Sequence, residues 1–581
     1  MAHALMNNSA VGQRNWHRSS EKTPERRAAQ PILPATVVSL RNKFILCAVI
    51  AGAAILSYLN SMNCGYVRWD DTGYYRNNPL VAGDGGLGAI WVDGFREKPT
   101  KHYYPLVWTS YWIEYQLFGD SPKALHTTQM ILHAAASVAV LLALLALGAP
   151  VLAAGAAAAV FAVHPINVAS VTWLAERKNT LSAVFFWLSL LVYVQFRRKG
   201  SGGRYAVSVA CYLLALLAKT ACVVLAPLVV ITDRVLDGRW SRRSLLRAMP
   251  FFVIGLFMGL LTARSEAIHA KSGKPIDPAL RPLVAAAAVV HYVQKSVLPV
   301  ELVPIYPRWP ESFAAPRYWI SLALVVLTGG LLLKVRRRLS PLVGWAIALF
   351  LLGLFPVLGF MHFNFLQFSF VSDHFMYLSL VGLCLLFGLC ISALGARGGS
   401  RTDSAAAVDQ PSSIPRCAAI ALVVVICAAL SYRTNRQNQV WSDPVTFWEY
   451  TLARNPDCFP GHFNLGNLYF RDKDYEKALA HFEQSVRIDP SLVVNSRACA
   501  RCCKALDKSA AAIAHYERAV AVEKSKNARN ISTRLEFAEY LRALGLPDRA
   551  TPLYKEVLAV DPKNPLAVRA LAGAQSPSEA R

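Results

Sequence analysis

The sequence has few charged residues for its length, and its cysteines lack any sustained spacing. Charged side chains make up 17% of the 581 residues, 54% of the residues are hydrophobic, and the mean hydropathy is +0.32. This composition is unlike that of ordinary soluble proteins and favours a membrane protein. The twelve cysteines form no paired set with metal-ligand spacing, so the sequence predicts neither a zinc module nor a disulfide framework.

Acidic residues are also scarce, with 36 Asp and Glu against 61 Lys and Arg, which gives a formal net charge of +25. Such an excess of positive charge could indicate nucleic-acid binding. The basic residues, however, form short groups between apolar runs, at 197–199, 242–243 and 334–338. Cytoplasmic loops of membrane proteins retain Lys and Arg in this way. We therefore attribute the charge to membrane topology and expect no nucleic-acid partner.

Long apolar runs between residues 44 and 432 predict an all-α, polytopic membrane helix bundle with about eleven crossings. Residues 1–43 are polar and basic and predict a disordered cytoplasmic arm, followed by an uncleaved anchor. Residues 61–123 predict a large outer loop. The run at 283–298 is interrupted by polar side chains and is expected to be interfacial or re-entrant. The predicted number of crossings depends most on how the pair of apolar runs at 205–232 is counted.

Alternating crossings from a cytoplasmic N-terminus place residues 433–581 in the periplasm or a lumen, at the inner membrane if the source is bacterial. This tail repeats at the spacing of tetratricopeptide units, an α-solenoid in which small residues let two helices pack closely. Gly466 and Ala478 belong to the first unit, Ala512 to the second and Ala550 to the third. Trp448 indicates a half-unit that docks the array onto the last membrane helix. The repeats offer a groove for an extended protein or peptide; alternatively, they only brace the membrane domain.

Two adjacent carboxylates, Asp70 and Asp71, follow the first apolar run and are flanked by Trp69, Tyr74 and Tyr75. Aromatic rings favour the membrane–water interface, and two like charges this close raise one pKa unless a cation compensates. The alternative is an ordinary turn, because Asp and Gly both favour turns. In such a loop, replacing either Asp by Asn is expected to change stability little.

Polar side chains in or beside membrane segments are costly, and they therefore indicate pairing or function. The predicted topology places several of them at or near the non-cytoplasmic side. They include His102, His126, His164, Glu176, Arg177, Lys178, Lys219, Asp373 and His374. For any single histidine, helix packing is the simpler interpretation. Together, such side chains could hold an anionic head group whose lipid tail lies in the bilayer, with Lys and Arg on the phosphate.

Short motifs in a specific order carry a resemblance through nearly the whole chain after the arm. They are Trp69-Asp70-Asp71, Asn78-Pro79, Tyr104-Pro105-Leu106, Leu132-His133, Phe161 to Pro165, Glu176-Arg177-Lys178, Lys219, Asp373 and Tyr377. The chain resembles the transmembrane and tetratricopeptide-repeat proteins, similar to protein O-mannosyltransferases of the membrane glycosyltransferase class of GT-C type. The resemblance implies that Asp70 and Asp71 are catalytic and that the donor is a polyprenyl-phosphate sugar. At four positions the chain departs from similar proteins: Asn167, Ala169, Asn179 and His374.

These observations predict a glycosyltransferase that moves a sugar, mannose by the resemblance, to Ser or Thr of a protein held by the repeats. Binding of the donor phosphate is assigned to Arg177, Lys178 and Lys219. Further site candidates are His102, Tyr104, His126, His164, Glu176, Asp373 and His374. Lipid phosphate is already a good leaving group, so no cofactor is required, although a divalent metal stays open. The main alternative is a non-catalytic, membrane-anchored scaffold for envelope protein assembly; transport is disfavoured because no inverted repeats are evident.

Overall fold

A computed structural model describes residues 36, 38–83, 85–93, 103–269, 276–361, 363–396, 416–526 and 530–574. Every regular element in these ranges is helical, as predicted. The helices of the first part are α1 Leu40–Tyr58, α2 Asp71–Tyr74, α3 Gly86–Val92, α4 Pro105–Phe118, α5 Pro122–Leu147, α6 Val151–Val163, α7 Val168–Val171, α8 Arg177–Lys199, α9 Gly202–Ala218, α10 Leu225–Asp237, α11 Arg242–His269, α12 Arg281–Val297, α13 Pro316–Val335, α14 Pro341–Leu354, α15 Leu380–Ala396 and α16 Arg416–Asn438. Of the predicted disordered arm at 1–43, residues 1–35 and 37 lie outside the described residues, whereas α1 already begins at Leu40, inside the predicted arm.

The second part is a succession of shorter helices. They are α17 Pro444–Leu452, α18 Phe459–Arg471, α19 Tyr475–Ile488, α20 Val493–Ala505, α21 Ser509–Ser525, α22 Ser532–Ala543, α23 Pro547–Val560 and α24 Pro565–Ala574. Single 3₁₀ turns occupy Leu59–Asn63, Pro165–Asn167, Leu174–Glu176, Thr220–Val224, Phe355–Val357, Asn364–Gln367, Asp373–Met376 and Gln439–Trp441. Helix α16 continues past the predicted domain boundary at residue 432.

Within the described ranges, six helical segments are long and apolar enough to cross a bilayer. They are Leu40–Asn63, Pro122–Leu147, Leu174–Lys199, Arg242–Ser265, Pro316–Val335 and Arg416–Trp441. The bent pair Val151–Val163 and Pro165–Val171 would make a seventh, and Gly202–Ala218, Pro341–Val357 and Leu380–Gly395 are shorter apolar helices. The chain is therefore an all-helical membrane protein, whereas eleven crossings stay a prediction.

Two predicted membrane segments need comment. The run at 220–232 is one of the eleven crossings that the sequence predicts. In the structure it forms a 3₁₀ turn followed by α10, which has 13 residues. A helix of that length spans about 20 Å, less than the roughly 30 Å of a hydrocarbon core. Helix α12 has 17 residues and is not among the candidate spans found in the described residues, which agrees with an interfacial or re-entrant segment.

Small residues allow close packing in the bundle. Helix α15 packs extensively on α6. A Cβ at Gly388 of α15 would stand 2.2 Å from the carbonyl oxygen of Ala153 in α6. The backbones of the two helices therefore touch at this point, as small residues permit in membrane bundles. Any larger side chain at Gly388 would separate them.

The second part forms helical hairpins, with α18 on α19, α20 on α21 and α22 on α23. Each pair coincides with one repeat predicted from the spacing. Gly466 is in contact with the ring of Phe482, and Ala478 is fully buried. Helix α17 joins the array to the membrane domain. The backbone N–H of Gly65 in the outer loop donates to the carbonyl of Ser442 just before α17, at 2.9 Å.

Candidate functional site

The acidic loop after α1 is tied to the segment that begins α8. Asp71 is only 2% exposed. One of its carboxylate oxygens accepts from the backbone N–H of Val67 at 3.0 Å, and the other accepts from that of Ala175 at 3.1 Å. The pKa of Asp71 is raised to about 7: burial raises it most, the two backbone donors act to lower it, and the charge of Asp70 adds a smaller increase. Asp71 therefore anchors the loop.

Asp70 has a different environment. Its side chain is only partly buried. The Nζ of Lys178 interacts electrostatically with Asp70 and with Tyr104, and it lies 5.1 Å from the centroid of the Tyr74 ring. The two adjacent carboxylates are thus unequal, because Asp71 accepts two backbone hydrogen bonds whereas Asp70 is partly exposed and interacts electrostatically with a cation. The structure therefore brings Asp70 and Asp71 together with two further predicted site residues, Lys178 and Tyr104.

Glu176 is the centre of a buried polar cluster. Its carboxylate is 1% exposed and lies 2.6 Å from the Nζ of Lys178. Asn179 donates to it at 2.8 Å, and the Nε2 of His374 lies 3.9 Å away. Burial lowers the pKa of His374 to about 3, so this imidazole is neutral. Glu176 therefore orients Lys178 and neighbours His374, as the sequence-based clustering predicts.

Asn179 connects this cluster to Lys219. Its side-chain amide donates to Glu176 and to the carbonyl of His374, while its oxygen accepts a hydrogen bond from the Nζ of Lys219. Asn179 is one of the four positions at which the resemblance predicts a departure from similar proteins. An aspartate at 179 could not donate and would bring a second carboxylate against Glu176. The amide is therefore the group that lets Glu176 and Lys219 share one site.

Arg177 is turned away from these residues. Its guanidinium is fully buried, forms an ion pair with Glu114, and donates to the carbonyl of Leu125 at 3.1 Å. It also lies 4.4 Å from the centroid of the Tyr111 ring. These contacts occupy it inside the protein. The geometry favours a structural role for Arg177 and not the predicted contact with donor phosphate.

Asp373 and His374 point to different partners although they are adjacent. The hydroxyl of Tyr306 donates to the Asp373 carboxylate at 2.8 Å, and Lys295 interacts with it electrostatically. Burial raises the pKa of Asp373 to about 7. His374 is instead held by the hydroxyl of Ser372, 2.7 Å from its Nδ1. Asp373 thus belongs to a second polar cluster beside the one around Glu176.

The other predicted histidines make packing contacts. The Nε2 of His126 lies 3.4 Å from the carbonyl oxygen of Gly65, and that of His164 lies 3.0 Å from the carbonyl oxygen of Ser296. Both side chains are buried, so the simpler interpretation holds for each. His102 lies outside the described residues. Across the described ranges, no three or more His, Cys, Asp or Glu side chains are grouped so that they could hold a metal ion.

An aromatic cluster joins the acidic loop to the repeats. Trp69 stacks on Trp173 with ring centroids 4.8 Å apart and lies edge-on to Trp448 of α17 at 5.7 Å. Phe365 and Phe368 each lie 6.3 Å from Trp69. The first helix of the repeat part therefore contacts the residue that precedes Asp70. The sequence predicts that the half-unit containing Trp448 docks onto the last membrane helix; contact with this loop was not predicted.

Sequence reasoning assigned no site role to Glu114, Tyr306 or Trp448. A signal existed for Glu114, because it is the one charged side chain in the long aromatic stretch that forms α4. An isolated charge in such a stretch indicates a buried partner. Tyr306 lies in an irregular segment between α12 and α13, where no periodicity indicates the direction of a side chain.

Comparison with known proteins adds to this geometry. The tetratricopeptide repeat family model matches residues 460–492. The mouse protein O-mannosyl-transferase TMTC3 is 23% identical over 529 residues, which cover 82% of this chain and 54% of that protein. The nematode (Caenorhabditis elegans) protein O-mannosyl-transferase F38B6.6 is 22% identical over 483 residues, which cover 78% of this chain and 63% of that protein. The resemblance predicted from the motifs is confirmed.

The chain spans little more than half of the length of these curated relatives. Human protein O-mannosyl-transferase TMTC3 reaches 31% identity, over 158 residues that cover 26% of this chain and 17% of that protein. Among solved structures, the crystal structure of the APC/C hetero-tetramer Cut9-Hcn1 aligns at 12% identity, with coverage of 90% of this chain and 98% of that one. Its TM-score of 0.21 is too low to establish a shared fold.

Proposed function

We propose that this protein transfers a sugar, mannose by its similarity to the O-mannosyl-transferases, from a polyprenyl-phosphate donor to a Ser or Thr hydroxyl of a protein. One observation carries the proposal: a partly exposed carboxylate, Asp70, interacts electrostatically with the ammonium group of Lys178, on a loop that Asp71 anchors. A base for the incoming hydroxyl and a cation for the departing phosphate are the two groups that this transfer needs.

Asp70 acts as the general base. Its carboxylate accepts the proton of the hydroxyl, whose oxygen forms a bond to the anomeric carbon of the sugar. The bond between that carbon and the phosphate oxygen breaks, and the lipid phosphate leaves with the electron pair. A single displacement of this kind inverts the anomeric configuration. Asp71 is a positioning residue, since both of its oxygens accept backbone hydrogen bonds.

Lys178 and Lys219 stabilise the charge of the departing phosphate. Both ammonium groups are held by the Glu176 cluster, Lys178 directly and Lys219 through Asn179. A cation that is already oriented loses little freedom when the phosphate arrives, so its contribution is greatest in the transition state. Arg177 has no part in this step, and its pairing with Glu114 supports the start of α8.

The acceptor approaches between the membrane domain and the repeats. A groove of about 310 Å³ lies there, and its lining includes Arg308, Phe368, Asn455 and Phe459. Phe368 also contacts Trp69, the residue before Asp70. An extended peptide in this groove would present its hydroxyl towards the acidic loop. The groove is thus the proposed route by which a protein held by the repeats reaches the base.

The test is transfer by purified, reconstituted protein with a panel of radiolabelled polyprenyl-phosphate sugars that includes mannose. Asp70→Asn should lower the rate by about 100- to 10,000-fold, the usual contribution of a positioned general base. Asp472→Asn, at an exposed position in the repeats, is the control and should transfer at the wild-type rate. Wild-type transfer by Asp70→Asn would contradict the proposal. Peptide binding without any transfer would favour the scaffold instead.

A further inference from the structure

A second cleft, of about 520 Å³, opens where the last membrane helix meets the first helix of the repeats. Arg433 and Arg436 line it from α16, Arg454 lines it just after α17, and residues 299–301 form the opposite wall. Glu301 is the only acidic residue among those that line it in the described ranges. The lining includes none of the residues assigned above to sugar transfer. The cleft therefore carries an excess of two positive charges.

The wall at residues 299–301 is fixed by its neighbours. The Nε of Arg433 donates to the carbonyl of Pro299 at 3.2 Å. From behind, the Nζ of Lys295 donates to the carbonyls of Val300 and Glu301, at 2.7 and 3.2 Å. The backbone of this wall is thus held by two cations, and the guanidinium of Arg433 is oriented across the cleft. A preformed arrangement of this kind lowers the entropic cost of binding.

The side formed by the repeats is also fixed. The hydroxyl of Tyr450 donates to the carbonyl of Leu302 at 3.2 Å, and Gln437 donates to the same oxygen at 3.0 Å. The guanidinium of Arg454 lies 3.7 Å from the centroid of the Tyr450 ring. Stacking holds the plane of Arg454 in place, and one of its N–H groups donates to the carbonyl of Tyr450 at 3.4 Å. Its other N–H donors are available to a ligand.

The outer surface of α16 leads from the cleft into the apolar region. Within the candidate span Arg416–Trp441, Val424 is 60% exposed, Val425 64% and Tyr432 67%. Exposed apolar side chains on a membrane helix face acyl chains. The arginines therefore lie at the end of a lipid-facing surface, at the level where a head group would sit.

We propose that this cleft binds the phosphate of an anionic membrane lipid whose acyl chains lie along α16. Guanidinium groups form paired hydrogen bonds with phosphate oxygens, and three of them converge here against one carboxylate. The continuous apolar surface selects a lipid over free phosphate. The site would fasten the repeats to the membrane domain through a lipid, because its arginines come from α16 and from the residues just after α17. It does not require that the protein transfer sugar.

The test titrates the purified full-length protein, in neutral detergent, with phosphatidylglycerol and counts bound lipid by native mass spectrometry. One saturable site is expected, and phosphatidylcholine should not fill it. Arg436→Gln and Arg454→Gln should each weaken binding about tenfold, as expected for the loss of one charge-assisted contact. Arg416→Gln, at the opposite end of α16, is the matched control and should bind like the wild type.

Three results would overturn the assignment. Equal losses from Arg416→Gln and Arg436→Gln would mean that any arginine at a helix end attracts the lipid. Displacement of the lipid by inorganic phosphate at the same concentration would make free phosphate the ligand. Arg454→Gln guards against misfolding, because Arg454 lies in the turn after α17, away from α16, and its replacement should give the same loss. Unchanged binding in both variants would also contradict the proposal.

Discussion

The carboxylate of Asp71 accepts a hydrogen bond of 3.1 Å from the backbone N–H of Ala175, which lies 104 positions later in the chain. Its second oxygen accepts from Val67 at 3.0 Å. A side chain with two acceptor oxygens is therefore needed to join the outer loop to the start of α8. Asp70, which lies one residue earlier, is partly exposed, so the adjacent residues have separate functions.

We expect Asp71→Asn to lower stability, contrary to the sequence-based expectation that neither Asn substitution would do so. The amide has one acceptor oxygen, and its NH₂ group would face the N–H of Val67 or Ala175. An unsatisfied buried donor costs about 1–3 kcal/mol. Thermal unfolding of the detergent-extracted protein should show a lower midpoint for Asp71→Asn and an unchanged one for Asp70→Asn. Equal midpoints would mean that Asp71 does not anchor the loop.

The buried pair of Arg177 and Glu114 supports a second expectation. Arg177→Gln should destabilise the protein by about 3–5 kcal/mol, because Glu114 would keep a buried charge without its cation. The double variant with Glu114→Gln should recover most of this loss. Thermal unfolding of the three variants measures the coupling. A normal midpoint for Arg177→Gln, together with weaker donor binding, would instead restore the predicted phosphate role.

The composition of the site could be predicted from the sequence, but the directions of its side chains could not. Glu176, Arg177 and Lys178 are consecutive, and all three were assigned to one site. Consecutive residues on a helix point about 100° apart, so they cannot all face the same ligand. Which one turns inward depends on Glu114, 63 residues earlier, which pairs with Arg177. No local pattern carries that information.

Periodic features were predicted best. The small residues Gly466 and Ala478 lie at the helix–helix contact that the repeat spacing indicates. Irregular segments were predicted least well: Tyr306 reaches Asp373 from a loop, and Trp448 reaches Trp69 across the chain. Loop conformation is set by many weak contacts and not by a repeat, so side chains in loops could not be placed.

The contribution of Asp373 to stability should fall as the pH rises from about 4 to 7. Burial raises the pKa of Asp373 to about 7 although Tyr306 and Lys295 act to lower it. The folded state therefore binds this proton more tightly than the unfolded state, and the stabilisation is lost as the pH passes through 7. One such proton changes stability by at most about 1.4 kcal/mol per pH unit. Asp373→Asn removes this contribution, so the unfolding midpoint of the variant, relative to that of the wild type, should rise between pH 4 and 7.

The control for Asp373→Asn is a substitution at an exposed carboxylate. Asp472→Asn, at an exposed site, should leave the pH dependence as it is in the wild type. Buried histidines act in the opposite direction: burial lowers the pKa of His374 to about 3, so only the difference between variant and wild type isolates Asp373. A difference between the two midpoints that stays constant from pH 4 to 7 would show that Asp373 is ionised throughout.

The side of the membrane on which the repeats lie can be measured by thiol labelling. Cys458 is 3% exposed, and burial raises the pKa of its thiol to about 12. This thiol would therefore not react with a labelling reagent on either side of the membrane. In a background where Cys390 and Cys417 are replaced by Ser, Ala510→Cys on the exposed face of α21 should react with an impermeant maleimide in intact cells. Lys199→Cys should react only after permeabilisation. The reverse pattern would invert the predicted topology.

Replacing Gly466 by Ala tests whether the repeats hold the acceptor separately from the donor site. A Cβ at 466 would stand 2.8 Å from the ring of Phe482, and such overpacking costs about 1–3 kcal/mol. Acceptor-peptide binding should weaken while binding of the polyprenyl-phosphate donor stays normal. Adding Phe482→Leu to the Gly466→Ala variant should restore peptide binding. Gly330→Ala, which meets no atom within 4 Å, is the control. If Gly466→Ala weakened donor and peptide binding equally, the two sites would form one cooperative unit.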